Sequence, residues 1–482
     1  MVTRPAHAPR ERGFAIPPPA EKGTPVTTPE LREALTAAGA SALTPTIVDP
    51  MMLEYQRRYA PLVRAIPSRK WDSNVYYFNQ RTARAAGGFV SDGGARPVTN
   101  STYVQNSFTI RNLQSVGAVT GYAQAVTRGL AGDLRAQEIE GSIQGLYWDI
   151  ENAVLWGNSG STALGGYPQF DGLDSLVSTY SGGTQNAQDA ANASLSLGWL
   201  DKLIDMVEQQ AAMKINGPGW MFVMSSTAES RISQLAIANQ RFLSSTEVAA
   251  GLNVQTYRGI PLMTSSFLSA RSYQMGVVTT ATATTGGTLA AATYYYQIAP
   301  VIARQGEILP SVEVSQTTTG STSTVTLSFS TPGGLDSAQP NLFKVFRSTS
   351  TGTETFLGYV DATVGIAADG VTPILTTSIV DDGAKLTPKN GSTVPANVPA
   401  AYVGTNASMK PQASGSENIY LIARDPQFLL RPYVRELEPL DVYPTAAAPD
   451  QLPYAIVSDC ALAVRAPKYT GRISRVSSSL TS

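Results

Sequence analysis

The sequence predicts an α+β fold interrupted by an all-β domain. Three observations carry that prediction. A long two-stranded ribbon is written between residues 74 and 111, an amphipathic helix follows over 133–156, and from about 279 to 388 the text turns rich in Thr, Ser and Gly with no helical period.

The ribbon arms are residues 74–80 and 102–111, joined by a Gly-rich tip over 84–97. An isolated hairpin is marginal in water, and this one carries Tyr76, Tyr77, Phe78, Phe89, Tyr103, Phe108 and Ile110. So much apolar surface on a thin element needs a partner. Either the chain's own core supplies one or another copy of the chain does, which points to an assembly protein.

In the helix, Asp133 follows Gly132 as the N-cap. Ile139, Ile143, Leu146, Ile150 and Ala153 recur at helical steps and form one face, widened by Tyr147 and Val154. Glu138, Glu140, Asp149 and Glu151 make the other flank acidic. At ~1.5 Å per residue the helix is roughly 36 Å long. Gly141 and Gly145 weaken it by about 1 kcal/mol each relative to Ala. A neighbour packed close to the backbone would explain them, and so would simple tolerance. A Gly-rich loop over 157–166 and the run Tyr167-Pro168-Gln169-Phe170-Asp171-Gly172-Leu173 come next.

A second helix is predicted over 197–213, a buried strand over 220–224, and a third helix to about 241 that opens on a capping box of Ser226 and Glu229. With 251–264 extended, this reads as an α+β domain. The Thr/Ser/Gly-rich region then offers short strands at 294–301, 312–314, 325–329, 343–347, 356–360 and 374–380, separated by turns at 304–306, 332–334 and 381–383. Roughly 110 residues with that rhythm suit an immunoglobulin-like sandwich. Tyr294-Tyr-Tyr-Gln-Ile-Ala, Gly306-Glu307, Phe343-Lys-Val-Phe-Arg and Val380-Asp-Asp-Gly resemble fibronectin type III-like modules. A linker over 389–416, able to span up to roughly 90 Å, leads to a final segment with too few elements to fold alone. The sandwich is therefore expected to interrupt one domain. At the other end, residues 1–30 are Pro-rich, a short helix is expected over 29–40, and an extended arm over 43–70 is punctuated by Pro45, Pro50, Pro61 and Pro67.

Composition excludes several classes of function. The chain has 482 residues, enough for two to four domains. Its 35 basic and 36 acidic residues nearly cancel, and the 15% charged content is low beside the ~25% of an average soluble protein. No basic run suggests a nucleic-acid groove, no stretch reads as a transmembrane helix, and no secretory signal is expected. The single histidine, His7, lies in the Pro-rich tail, and the single cysteine, Cys460, sits in apolar strand text as an expected core residue. A zinc site, a Ser-His-Asp triad and a Cys-His dyad all lack parts. The glycines over 157–166 follow a helix rather than opening one, so they cradle no phosphate. Asp381-Asp382-Gly383 reads as a turn rather than a calcium loop. No catalytic, cofactor-binding or metal site is expected.

The order of parts resembles the tailed-phage major capsid proteins of the Hong Kong 97 fold. The resemblance rests on the N-terminal arm, long hairpin, long helix, Gln169-Phe-Asp-Gly-Leu, the α+β domain and a closing Asp459-Cys-Ala-Leu-Ala-Val-Arg-Ala. It covers nearly all the chain except the tail and the insert. It implies a tail and arm over 1–71, an E-loop hairpin over 72–115 and a peripheral domain over 116–197 with its spine helix at 133–156. An axial domain would occupy 198–278, the outward-projecting immunoglobulin-like insert 279–388, the linker 389–416, and the return to both domains 417–482. The implied function is self-assembly, as hexamers and pentamers, into an icosahedral shell around the double-stranded DNA genome of a tailed phage. The implied partners are further copies, a separate scaffolding protein, a portal, decoration proteins, and DNA held without sequence preference. No membrane is involved, and assembly would take place in the host bacterial cytoplasm. An encapsulin-like compartment, or a glycan-binding surface adhesin, are the alternatives.

Some members of that family crosslink through an E-loop lysine. The ribbon over 72–111 has none, only Arg81, Arg84, Arg96 and Arg111, so non-covalent contacts are expected. The expected contact residues are Tyr77, Phe89 and Phe108, together with Arg84 or Arg96 paired to Glu138 or Glu140 of an adjacent copy. An exposed pair gives only about 0–1 kcal/mol, so the apolar surface should dominate.

Overall fold

A computed structural model describes residues 61–95, 98–127, 133–159, 169–178, 186–238, 244–249, 252–268, 274–302, 306–330, 340–368, 373–384, 386, 410–413, 415–444 and 449–478. The N-terminal tail with His7, the helix expected over 29–40, Arg96, the turn at 332–334 and most of the expected linker lie outside these residues.

The centre is a seven-stranded sheet. Its order is Ala187–Asp189, Gly471–Ser477, Ser416–Ala423, Trp220–Met224, Ile260–Thr264, Leu252–Tyr257, Ser244–Ala249. Trp220–Met224 and Ser416–Ala423 are buried at every position, because both faces of the sheet are covered. Side chains alternate across the sheet plane. Phe222, Met224 and Leu421 meet Leu200, Leu203, Ile204 and Val207 of helix Leu197–Ala211. Met221, Val223, Tyr420 and Ile422 meet Ile150, Val154, Leu155 and Trp156 of the long helix. The sheet thus draws neighbouring strands from both sides of residues 278–381.

Two helix ends differ from expectation by local geometry. The second helix stops at Ala211 because Ala212 turns left-handed, with φ 52. The third spans Ser226–Ala238, and its cap is Ser225 rather than Ser226. The Ser225 Oγ accepts the Ala228 N–H at 3.1 Å, so Glu229 falls one place past the capping-box position.

The second layer joins both ends of the described chain. Arg111–Thr120 and Gln451–Cys460 form an unbroken antiparallel ladder from Cys460↔Arg111 to Gln451↔Thr120. Leu429–Tyr433 bridges the ladder's end to Ser68–Lys70. The long helix runs Leu134–Trp156, with Asp133 accepting from Ala136 N at 3.1 Å. Tyr454 lies flat on its cross-strand partner Gly117, where a Cβ would fall 2.3 Å from the phenol oxygen. Cys460 is buried, and burial pushes its thiol up to about 11.

Residues 278–381 form two facing sheets. One comprises Val278–Ala283, Thr324–Phe329 and Ser378–Asp381. The other is built on Thr293–Ile302, Pro340–Ser348 and Thr355–Asp361, with Gly306–Glu307 and Val314–Thr317. Tyr296, Ile298, Val325, Leu327, Phe343, Val345 and Ile379 fill the space between them. Asp381, expected in a turn, also locks the two sheets together. It accepts from Tyr296 Oη at 2.8 Å and from Arg347 Nη1 at 2.8 Å, and its Oδ1 takes the Gly383 N–H at 2.9 Å.

Candidate intersubunit surface

The ribbon pairs Val75–Ala83 with Thr102–Thr109, Tyr76 facing Phe108 and Arg81 facing Tyr103. Its two ends have different fates. At the root, Tyr76, Phe78, Phe108 and Ile110 are buried in the chain's own core beside Leu429, Leu462 and Val464. Trp71 meets Tyr76 edge-on at 5.0 Å, Phe78 stacks on Phe108 at 5.9 Å, and the Arg465 guanidinium lies 5.3 Å from the Phe78 ring. Phe108, expected at a contact between copies, is only 5% exposed. The chain's own core supplies its partner.

Beyond Phe78 and Asn106 that support ends. There Tyr103 is 62% exposed and Phe89 fully so, while Tyr77, between Tyr76 and Phe78, is 47% exposed on the opposite face of the root. Val90, Val98 and Val104 are exposed with them. At ~3.3 Å per residue the paired arm continues for about 17 Å past its last core residue, before the tip begins. Arg81 lies over Tyr103 at 5.6 Å. Arg84 is exposed, while Arg96 falls outside the described residues.

The long helix is likewise divided. Its first half is exposed or half-buried, and burial begins at Leu146. Ile139 and Ile143, expected in the core face, are only half-buried. Glu138 and Glu140 are exposed, as the acidic flank requires, but Glu138 already accepts from Tyr454 Oη at 3.4 Å. A Cβ on Gly141 would meet open space, so simple tolerance explains that glycine.

Glu151 does not belong to the acidic flank. It is fully buried, accepting the Val63 N–H at 3.2 Å through Oε2 and the Ser265 hydroxyl at 2.7 Å through Oε1. It therefore ties helix Leu62–Ala65 of the arm and the chain just after the central sheet to one point on the long helix. Burial pushes the carboxyl up to about 7, against the lowering effect of those hydrogen bonds.

A second buried polar group holds residues 278–381 against the centre. Lys344 Nζ lies 2.6 Å from Asp174 Oδ2 and 2.8 Å from Glu307 Oε2. Arg472 of the central sheet reaches Asp174 Oδ1 at 3.0 Å, and Tyr420 Oη donates to the same oxygen at 3.4 Å. All four ionic groups are nearly inaccessible, and two positive charges meet two negative ones. Burial, then the Asp174 charge, raises the Tyr420 and Tyr359 phenols. Lys344 also lies 5.2 Å from the Trp156 ring. The Trp156 indole donates to the Phe267 carbonyl at 2.9 Å. Gly306, at φ +78, lets the Glu307 strand pass there, since a Cβ would fall 2.3 Å from the indole nitrogen. Sequence reading missed this group. Its one signal was Lys344 inside otherwise apolar strand text.

At the ribbon root a small cavity is lined by Phe108, Arg111, Ser159, Phe170, Asp171 and Leu462. Asp171, from the Gln169-to-Leu173 run, accepts the Ser159 N–H at 2.8 Å, and burial raises its carboxyl. Among the described residues no group of three or more His, Cys, Asp and Glu side chains is placed to hold a metal. No described helix is long and apolar enough to cross a membrane.

A family model described as SU10 major capsid protein matches residues 32–291, more than half of the chain. No curated protein matches. Among solved structures, the capsid of Myoviridae phage XM1 is similar at 7% identity, with 91% of this chain and 98% of that one covered and a TM-score of 0.47. A protein of Gordonia phage Cozz is similar at 10% identity, 96% and 98% coverage and a TM-score of 0.45. The holo-SrpI encapsulin complex from Synechococcus elongatus PCC 7942 is similar at 10% identity, 92% and 96% coverage and a TM-score of 0.45.

Proposed function

Because the chain belongs to the SU10 major capsid protein family, and so is a structural subunit of a phage's icosahedral shell, we propose that each copy lays the outer half of its ribbon across a neighbouring copy. The protein is a homo-oligomer of the virion capsid and not an enzyme. One observation carries the proposal. The ribbon is anchored by Tyr76, Phe78 and Phe108 in its own core, while Tyr77 on the opposite face of the root and Tyr103 and Phe89 farther out are presented to the outside on an arm too thin to bury them. Burying apolar surface yields about 25 cal/mol per Å², so these three aromatic side chains supply more than any exposed ion pair.

On this reading the chain has the Hong Kong 97-type fold. The ribbon is its E-loop, the long helix its spine, the ladder beneath the spine its peripheral domain and the seven-stranded sheet its axial domain. Residues 278–381 are an immunoglobulin-like, fibronectin type III-like insert. Its inner end is fixed by Lys344 and Glu307 and its exposed turn over 349–353 faces outward. The copies form hexamers and pentamers in the bacterial cytoplasm with a scaffolding protein and portal, and packaged DNA contacts the shell without sequence preference. With no lysine in the ribbon, the shell closes without a covalent ribbon crosslink, with decoration proteins as a further support. Arg84 and Arg96 add pairing to Glu140, and to Glu138 where Tyr454 yields it.

Negative-stain microscopy of the double variant Tyr77→Ser, Tyr103→Ser provides the test. Folded subunits that build no closed shells are expected, with the circular dichroism of the unsubstituted chain. Normal shells would overturn the apolar contact, and normal shells after Arg84→Glu with Arg96→Glu would remove the arginines from it.

A further inference from the structure

The exposed turn over 349–353 joins strands Pro340–Ser348 and Thr355–Asp361, at what the proposed function makes the outer end of the insert. It is tied down from a different segment, by Glu313. The Glu313 Oε1 accepts the Thr351 hydroxyl at 2.7 Å and its Oε2 accepts the Gly352 N–H at 2.7 Å. The Ser350 carbonyl accepts the hydroxyls of Thr353, at 2.8 Å, and Ser348. Glu354 breaks this pattern of satisfied groups. It is 3% exposed, and its Oε1 is buried with no donor facing it. The Glu354 carboxyl takes backbone N–H bonds from Gly352 and from its own residue, and its side-chain partner is the Glu313 carboxyl, within hydrogen-bonding reach. Two ionised carboxylates in contact, one of them buried, repel and leave lone pairs unmet. One proton between them removes both costs.

We propose that Glu313 and Glu354 share a single proton and form an acid-closed clasp on the outer turn of the insert, which opens when that proton leaves. A bound cation fits less well. The Thr351 hydroxyl is spent on Glu313 and the Ser350 carbonyl already accepts two hydroxyls, so the turn has few spare oxygens to complete a hard-cation shell. Burial first, and the Glu313 carboxyl second, push Glu354 up to about 7. Its hydrogen bond with Glu354 holds Glu313 below the usual carboxylate range. The one ionised group acting on Glu354 is Glu313, so no basic side chain opposes the effect. With the folded-state value raised, the clasp is fully closed below the ordinary glutamate range and is lost as pH rises through about 7. The pair titrates as a unit.

Hydrogen exchange on the full-length protein, followed on a peptide covering 348–356 and corrected for intrinsic exchange rates, tests this. Protection should fall at least about tenfold between roughly pH 6 and pH 8.5 in the unsubstituted chain. In Glu354→Gln, whose amide donates to Glu313 at every pH, it should fall less than about twofold. Glu313→Gln should flatten the profile in the same way if the first variant folds poorly. A flat profile in the unsubstituted chain, or an equal fall in both variants, overturns the shared proton. So does alkaline protection that calcium restores and a chelator removes, which would make the occupant a cation.

Discussion

Replacing Glu151 with glutamine keeps the shape of the side chain and removes its ionisation. In the folded chain this carboxyl is raised from 4.5 to about 7, chiefly by burial. The folded state therefore binds the proton more tightly than the unfolded state does. Stability from this group is fully present below pH 4.5 and is lost as pH rises through about 7. A shift of that size corresponds to roughly 3 kcal/mol at about 1.4 kcal/mol per unit, which a fully buried group delivers without solvent screening. Glutamine can still accept the Val63 N–H or donate to Ser265, so the three segments stay joined. Urea unfolding of both proteins as unassembled subunits, from about pH 4.5 to about pH 8.5, measures the difference, in which all other titrating groups cancel. The variant should gain about 3 kcal/mol relative to the parent across that window. A constant difference, or one that grows in the parent's favour as pH rises, would refute the reasoning.

Lys344→Met leaves Asp174 and Glu307 buried without their shared cation, and should cost about 3–5 kcal/mol in thermal unfolding. A loss under about 1 kcal/mol would show that water reaches the seam. Gly117→Ala drives a Cβ into the Tyr454 ring and should cost about 1–3 kcal/mol, visible as a lowered urea midpoint. Unchanged stability would mean that Tyr454 does not lie on the strand. Asp133→Ala removes the cap on the long helix, for a loss of about 1 kcal/mol by the same assay, and a neutral result would place the helix start elsewhere.

Signals confined to a few neighbouring residues were legible in the sequence. Asp133 after a glycine marked the helix start, and the unbroken apolar run from Trp220 marked a strand covered on both faces. Two aromatic-rich arms flanking a Gly-rich tip marked a ribbon, though not where its support ends. That boundary depends on Leu462, Val464 and Arg465, hundreds of residues away. Strand Arg111–Thr120 was unreadable beyond its first residues because Ser115, Gly117 and Ala118 carry too little side chain to show a period. Its identity as a strand comes from the ladder with Gln451–Cys460. Glu151 looked like one more carboxylate on a polar flank, and only Val63 and Ser265, distant in sequence, reveal it as a buried tie.

The order of strands in the central sheet also sets a clock for synthesis. Val223 pairs with Met263 on one side, but its partner on the other is Tyr420, which a ribosome adding about 5–20 residues per second delivers roughly 10–40 s after Val223. The ribbon root waits longer still, for Leu462 and Val464. Until those residues are made, the ribbon proposed above to reach across another copy has no fixed base, so its root is completed only after the sheet strands it stands beside.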